Sequence, residues 1–173
     1  MKKTIVIYTS QTGFTKRYAE WIAEAADAEL MNLKDARKKK DDFFADFDAI
    51  IFGGWAMAGK IVKSEWFLEK AKNWTDKKLV LFFVGASPME SPELAVALET
   101  ILSEEQKKYI KLFYCPGGLD YSKMNWLSKF AMKAFSSMLK KDPDPEKQAQ
   151  GEQVSHSYDI SDKKYIQPII ESL

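Results

Sequence analysis

The chain of 173 residues has the length of one ordinary domain, and 46% of it is hydrophobic, enough for a sizeable core. The formal net charge is only +1, so no global field points to nucleic acid, and charge is informative only where it is local. One cysteine, Cys115, excludes an intrachain disulfide and zinc-type spacing and fits a reducing cytosol.

The start, MKKTIVIYTSQTG, is basic, but its apolar stretch breaks at Thr9, too short for a signal peptide. No run approaches the ~20 apolar residues of a membrane span. The expectation is a soluble, cytoplasmic protein with a single domain over 1–173.

Residues 4–8 (TIVIY) read as a strand buried on both faces, apolar and β-branched. A helix follows, in which Tyr18, Ala19, Ile22, Ala23 and Ala26 line one face. Residues 28–33 are a weaker strand, and 37–47 are a connector whose basic run is a solvated surface. Strands follow at 48–54, 78–85 and 109–115, with helices at 64–74 and 91–109 between them. Ser91 is the expected N-cap of the second of these helices, with Pro92 in its first turn. A long amphipathic helix spans 122–141, a polar loop whose prolines break helix spans 142–152, and a closing helix spans 161–173 around Pro168.

Five strands alternating with helices predict an α/β fold with a doubly wound parallel sheet and helices on both faces. In such sheets ligands bind beyond the carboxyl ends of the strands, where the strand order reverses. Attention therefore falls on the loops that follow the strands.

The first loop, TSQTGFT, gathers Thr9, Ser10, Thr12, Gly13 and Thr15 at a helix start. Unpaired amides and partial positive charge there suit a phosphate, hydroxyls add donors, and Gly13 lets the backbone curl close. The loop lacks the lysine of a nucleoside-triphosphate loop and the three glycines of a dinucleotide fingerprint, so a terminal monophosphate is the expected ligand. An ordinary capped helix is the plain alternative.

The stretch SQTGFT (10–15) resembles the flavodoxin phosphate loop, Ser/Thr-x-Thr-Gly-x-Thr, and the element order agrees over nearly the whole chain. The resemblance implies a five-stranded sheet of order 2-1-3-4-5 and an FMN cofactor. Its phosphate would be held by Ser10, Thr12, Gly13 and Thr15 and by backbone amides from Gln11 through Phe14 to Thr15. Two further stretches, IFGGWAMAGKIVKSEWFLEKA and PGGLDYSKMNWLSKFAMKAF, are similar to the group containing menaquinone-dependent protoporphyrinogen oxidases, which carries a helical insert after strand five.

A flavin ring needs flat apolar surfaces and a few hydrogen bonds at its edge. After the third strand, Trp55 is the candidate for stacking, within a ring-lining loop that includes Gly54, Ala56, Met57 and Gly59. Gly53, Gly54 and Gly59 would let a peptide approach the ring. Gly85, Ala86 and Ser87 follow the fourth strand as candidates for the pyrimidine edge. Gly117, Gly118 and Tyr121 follow the fifth, with Tyr121 expected to cover the ring or admit a substrate. Trp66 and Trp74 read as packing residues.

Lys60 and Lys63 follow Trp55 with no carboxylate before Glu65, which should favour a reduced, anionic flavin, with the acidic MESPE segment as a counterweight. In the long helix, Leu127, Phe130, Ala131, Ala134, Phe135 and Met138 form an apolar stripe, with Lys123, Lys129, Lys133, Lys140 and Lys141 mostly away from it. The economical reading is a helix covering the sheet; the other is peripheral membrane or partner contact through 123–141.

The sole histidine, His156, and the lack of a Gly-x-Ser-x-Gly elbow offer no metal cluster and no serine triad. Cys115 reads as buried packing. A phosphoacceptor domain would want carboxylates at the end of the first strand, where hydroxyls stand instead. The expected function is an FMN-binding redox protein that exchanges electrons with a partner protein or a quinone, with no catalytic acid or base of its own. Two alternatives remain: a quinone-linked protoporphyrinogen oxidase-type enzyme, and a flavodoxin-shaped binding module without flavin.

Overall fold

A computed structural model describes residues 3–173. Strands β1 (Thr4–Tyr8), β2 (Glu29–Asn32), β3 (Ala49–Met57), β5 (Lys78–Gly85) and β6 (Ile110–Pro116) pair in parallel in the order β2-β1-β3-β5-β6. This is the predicted doubly wound α/β fold. A two-residue strand, β4 (Lys60–Ile61), folds back antiparallel on β3.

The central strands are apolar on both faces because both faces are covered. Ile5, Ile7, Ile50, Phe52, Leu79 and Leu81 point to one side and pack with Phe67 and Ala71 of helix α4 (Ser64–Ala71) and Leu94 of α5 (Pro92–Thr100). Val6, Ile51, Val80 and Phe82 point to the other side. They meet Tyr18, Ala19, Ile22 and Ala23 of α1 (Phe14–Ala26) and Ile169 of α8 (Gln167–Glu171). A one-residue alternation thus distributes each strand between two cores. Cys115 is fully buried in the second core, and burial pushes its thiol up and keeps it protonated.

Several boundaries differ from the sequence expectations. The connector is not bare: it holds short helices α2 (Leu33–Ala36) and α3 (Asp41–Ala45) and buries Phe44 and Phe47, while its basic run is exposed. Helix α5 stops at Thr100, and a separate 3-10 turn occupies Gln106–Lys108. Ser91 occupies the N-cap position of α5, but its hydroxyl donates to the Glu93 carboxylate and caps no amide. The closing segment divides into a 3-10 turn at Lys163–Ile166 and α8, with Pro168 in the first turn of α8.

The polar stretch after the long helix is the clearest correction. It contains helix α7 (Pro145–Gln153), because Pro145 lies in the first turn, where a missing N–H costs nothing. Asp144 caps it by accepting from the Glu146 amide at 2.9 Å.

Beyond β6, β7 (Gly118–Leu119) pairs antiparallel with β8 (Tyr158–Asp159). Between them run α6 (Trp126–Lys140), capped by Asn125 accepting from the Ser128 amide at 2.8 Å, and α7. This is the predicted helical insert after the fifth parallel strand, with most of its apolar stripe turned outward. Helix α6 packs inward through Met132, Ser136 and Leu139, whereas Trp126, Leu127, Phe130, Phe135 and Met138 are exposed. The apolar stripe does not cover the sheet. Among the described residues, no helix is long and apolar enough to cross a membrane.

Candidate functional site

The turn from β1 into α1 is registered on the sheet by the Thr9 amide, which donates to the Gly53 carbonyl at 2.9 Å. Gly13 stands at the helix start with φ 99°, a conformation that glycine adopts without strain. Its amide donates to Ser10 Oγ at 3.1 Å and curls the loop. The amides of Phe14, Thr15 and Lys16 have no intrahelical acceptor, as at any helix start. The hydroxyls of Thr12 and Thr15 make no hydrogen bond among the described residues, although Thr15 is almost wholly buried. Donors thus collect around one concave spot.

That spot opens into a concave, partly open cleft. Ser10, Gln11, Thr12, Phe14 and Thr15 form one wall, and Trp55 and Met57 of β3 form another. Val84 and Ala86 close the end of β5, Gly118 and Leu119 come from β7, and Met124, Ser128, Ala131 and Met132 belong to α6 and its approach. Among the described residues, none that lines the cleft carries an ionisable side chain. The arrangement offers a donor cradle beside an apolar slot and no resident acid or base.

Nine of the predicted positions therefore share the cleft: Ser10, Gln11, Thr12, Phe14, Thr15, Trp55, Met57, Ala86 and Gly118. The other seven do not line it. Gly13 shapes the loop from behind. Gly54 is buried within β3, where a Cβ would meet Ile61 Cγ2 at 2.7 Å. Ala56 pairs with Ile61 across the β3–β4 hairpin, and Gly59 (φ 75°) with Ala58 (φ 51°) makes its tight turn. The expected ring loop is thus mostly strand. Gly85 ends β5 against Tyr114, and Ser87 accepts from the Tyr114 hydroxyl at 2.6 Å. Tyr121 points away: its hydroxyl donates to the Val154 carbonyl at 2.5 Å, and its ring packs with Leu119 and Leu139 behind α6.

The sequence reading missed Val84, Leu119, Met124, Ser128, Ala131 and Met132. The weak clue was the insert itself, since a helix leaving a loop at the carboxyl end of the sheet has to lie over that end.

Tyrosines fix the surroundings. Tyr158 donates to the Ala86 carbonyl at 2.6 Å and so holds the loop after β5, and burial pushes its phenol up to about 12. Burial also pushes Tyr114 and Tyr18 up. Tyr18 donates to the Pro116 carbonyl at 2.5 Å and accepts from the Asp162 amide at 3.1 Å, which ties α1 to the strand end. Arg17 reaches Asp159 Oδ2 at 2.5 Å and Ser161 Oγ at 2.7 Å, anchoring β8 beside the cradle.

No curated protein matches the chain. Among solved structures it is similar to a WrbA-like flavodoxin protein from Agrobacterium tumefaciens, with 24% identity, a TM-score of 0.42, and 66% of this chain and 83% of that one covered. A flavodoxin from the domain Archaea gives 15% identity and a TM-score of 0.44, covering 89% and 99%. A flavoprotein in complex with FMN from Lactobacillus acidophilus gives 19% and 0.45, covering 67% and 93%. The family profile described as flavodoxin domain matches residues 5–146, most of the chain and all five parallel strands apart from Thr4. The chain belongs to the flavodoxin domain family.

Proposed function

We propose that the cleft holds FMN and that the protein works as an electron-transferring flavoprotein. The observation that carries this reading is the union, in one cleft, of a donor cradle at the start of α1 with an uncharged apolar slot flanked by Trp55. The cradle suits a single terminal phosphate held by neutral donors. The slot suits a flat ring system, with Trp55 on one side and Met124 and Met132 beneath the roof of α6.

FMN, when bound, supplies one- and two-electron exchange. The chain's own part is to bind, orient and shield. Thr12 and Thr15 would donate to its phosphate, Trp55 would fix the ring plane, and Met124 and Met132 would exclude water.

The test is purification followed by release and identification of the cofactor, with FMN titration of the apoprotein. A yellow protein that releases FMN supports the reading. A colourless protein that neither quenches nor is stabilised by FMN would instead make it a binding module that lacks flavin. A second reading, quinone-linked oxidation of a protoporphyrinogen-type substrate, draws on the apolar roof of α6 and on exposed Met57 at the cleft, which suit an apolar reactant. Assay with protoporphyrinogen and a menaquinone tests it, and a cytosolic partner protein is the other candidate acceptor.

A further inference from the structure

Helix α6 has two apolar faces with different fates. One roofs the cleft and packs on α7 through Met132, Ser136 and Leu139. The other looks into solvent: Trp126 is 79% exposed, Phe130 69%, Met138 61% and Leu127 60%. Four large side chains in that state on one helix make a patch of the kind that marks an interaction surface.

Charge decides what the patch meets. No acidic residue lies between Tyr121 and Lys141, while Lys123, Lys129, Lys133, Lys140 and Lys141 do. Lys123 is paired with Asp120 at 3.3 Å and Lys140 with Glu152 at 3.0 Å. Lys129, Lys133 and Lys141 make no ion pair among the described residues. Four-residue steps, from Lys129 to Lys133 and on through Ser137 to Lys141, set them in a row beside Trp126 and Phe130. Two copies of this helix laid face to face would bring like charges together. An apolar ridge with Trp and Phe on it and a lysine row beside it fits headgroups and acyl chains at once.

We propose that the outward face of α6 docks the protein on the surface of an anionic lipid bilayer. Trp126, Leu127, Phe130 and Met138 enter the boundary between headgroups and acyl chains, while Lys129, Lys133 and Lys141 meet the phosphates. Ala131 is both exposed and part of the cleft lining, so docking brings the cleft's rim to the lipid surface. The docking does not depend on what the cleft holds.

Flotation of the full chain with phosphatidylcholine vesicles, with and without phosphatidylglycerol, tests it. Binding is expected only with phosphatidylglycerol, and it weakens as salt is raised. Trp126→Ser with Phe130→Ser is expected to reduce the partition at least about tenfold. Lys129→Gln with Lys133→Gln is expected to reduce it by about tenfold or more on anionic vesicles. All four side chains are at least partly solvent-facing, and unchanged circular dichroism establishes that the variants fold. Failure to float with phosphatidylglycerol, or flotation that neither pair of substitutions weakens, overturns the proposal. So does a concentration-dependent dimer that the Trp126/Phe130 pair abolishes in a protein that binds no vesicles, since the occupant is then a second copy.

Discussion

Ser136 Oγ of α6 donates to the Gly151 carbonyl of α7 at 2.8 Å, in a buried contact between the two helices of the insert. Close approach is possible there because Gly151 has no side chain: a Cβ would lie 2.8 Å from the Lys140 backbone nitrogen and 3.0 Å from Leu139 Cβ. Gly151→Ala is therefore expected to force the helices apart and to destabilise the protein by about 1–3 kcal/mol. Thermal unfolding reads this directly, and an unchanged melting temperature would show that the helices yield freely.

At Gly13 the argument is conformational rather than steric. Nothing lies within 4 Å of a Cβ built there, but φ is 99°. Gly13→Ala is expected to cost about 1–3 kcal/mol of backbone strain. Relieving that strain would turn the cradle amides away, so FMN affinity should fall by tenfold or more in a fluorescence titration. Retained affinity would mean that the cradle does not depend on this turn.

Trp55 is the only aromatic side chain that β3 contributes to the cleft. If it stacks on the ring, Trp55→Ala should weaken FMN binding by roughly tenfold, and Trp55→Phe by less, since stacking adds about 0.5–1.5 kcal/mol beyond the buried area. Equal affinities for all three proteins would place the ring elsewhere in the slot.

No carboxylate lines the cleft, and Lys60 and Lys63 follow just beyond Met57. A flavin held there should therefore have a less negative midpoint potential than one surrounded by acidic groups, because no described lining residue repels added negative charge. Potentiometric titration checks the value. Lys60→Glu with Lys63→Glu should make it more negative, and an unmoved potential would show that these lysines are too well screened to matter.

Tyr158 yields a pH prediction. Its phenol, ordinarily near 10, is pushed up to about 12 because burial disfavours the phenolate. The neutral phenol's contribution to stability is complete below pH 10 and is lost as pH rises through about 12. The loop held through the Ala86 carbonyl should loosen in that window. Tyr158→Phe should lose the hold at neutral pH and flatten the alkaline decline, as hydrogen exchange at residues 86–88 would report.

The sheet was legible because TIVIY and KLVLFFVG are apolar on both faces, a pattern that only a covered strand sustains. The turn from β1 into α1 was legible because hydroxyls and one glycine between an apolar run and a helical pattern mark a strand-to-helix junction, and Gly13 does stand at the start of α1. Other features depend on pairing, capping or packing partners that composition does not name. The β3–β4 hairpin exists through pairing with Ile61, and its two-residue turn was hidden inside what looked like a glycine-rich loop. Pro145 read as a breaker because composition does not say whether a proline opens a helix or interrupts one. The stripe on α6 was correctly assembled, but the choice between its two readings was not legible, since periodicity identifies a face without naming what lies opposite. Tyr121 sat at the right distance in sequence from the strand end, yet Val154, more than thirty residues later, claims its hydroxyl.

The insert leaves the body of the protein at Leu119 and returns at Tyr158, and those two residues are register partners in the β7–β8 hairpin. An excursion clasped at its base in this way is a cassette. Residues 120–157 lie wholly between those partners, so the excursion interrupts none of the five parallel strands. The roof over the cleft is thus carried on a segment topologically separate from the sheet whose strand ends form the floor.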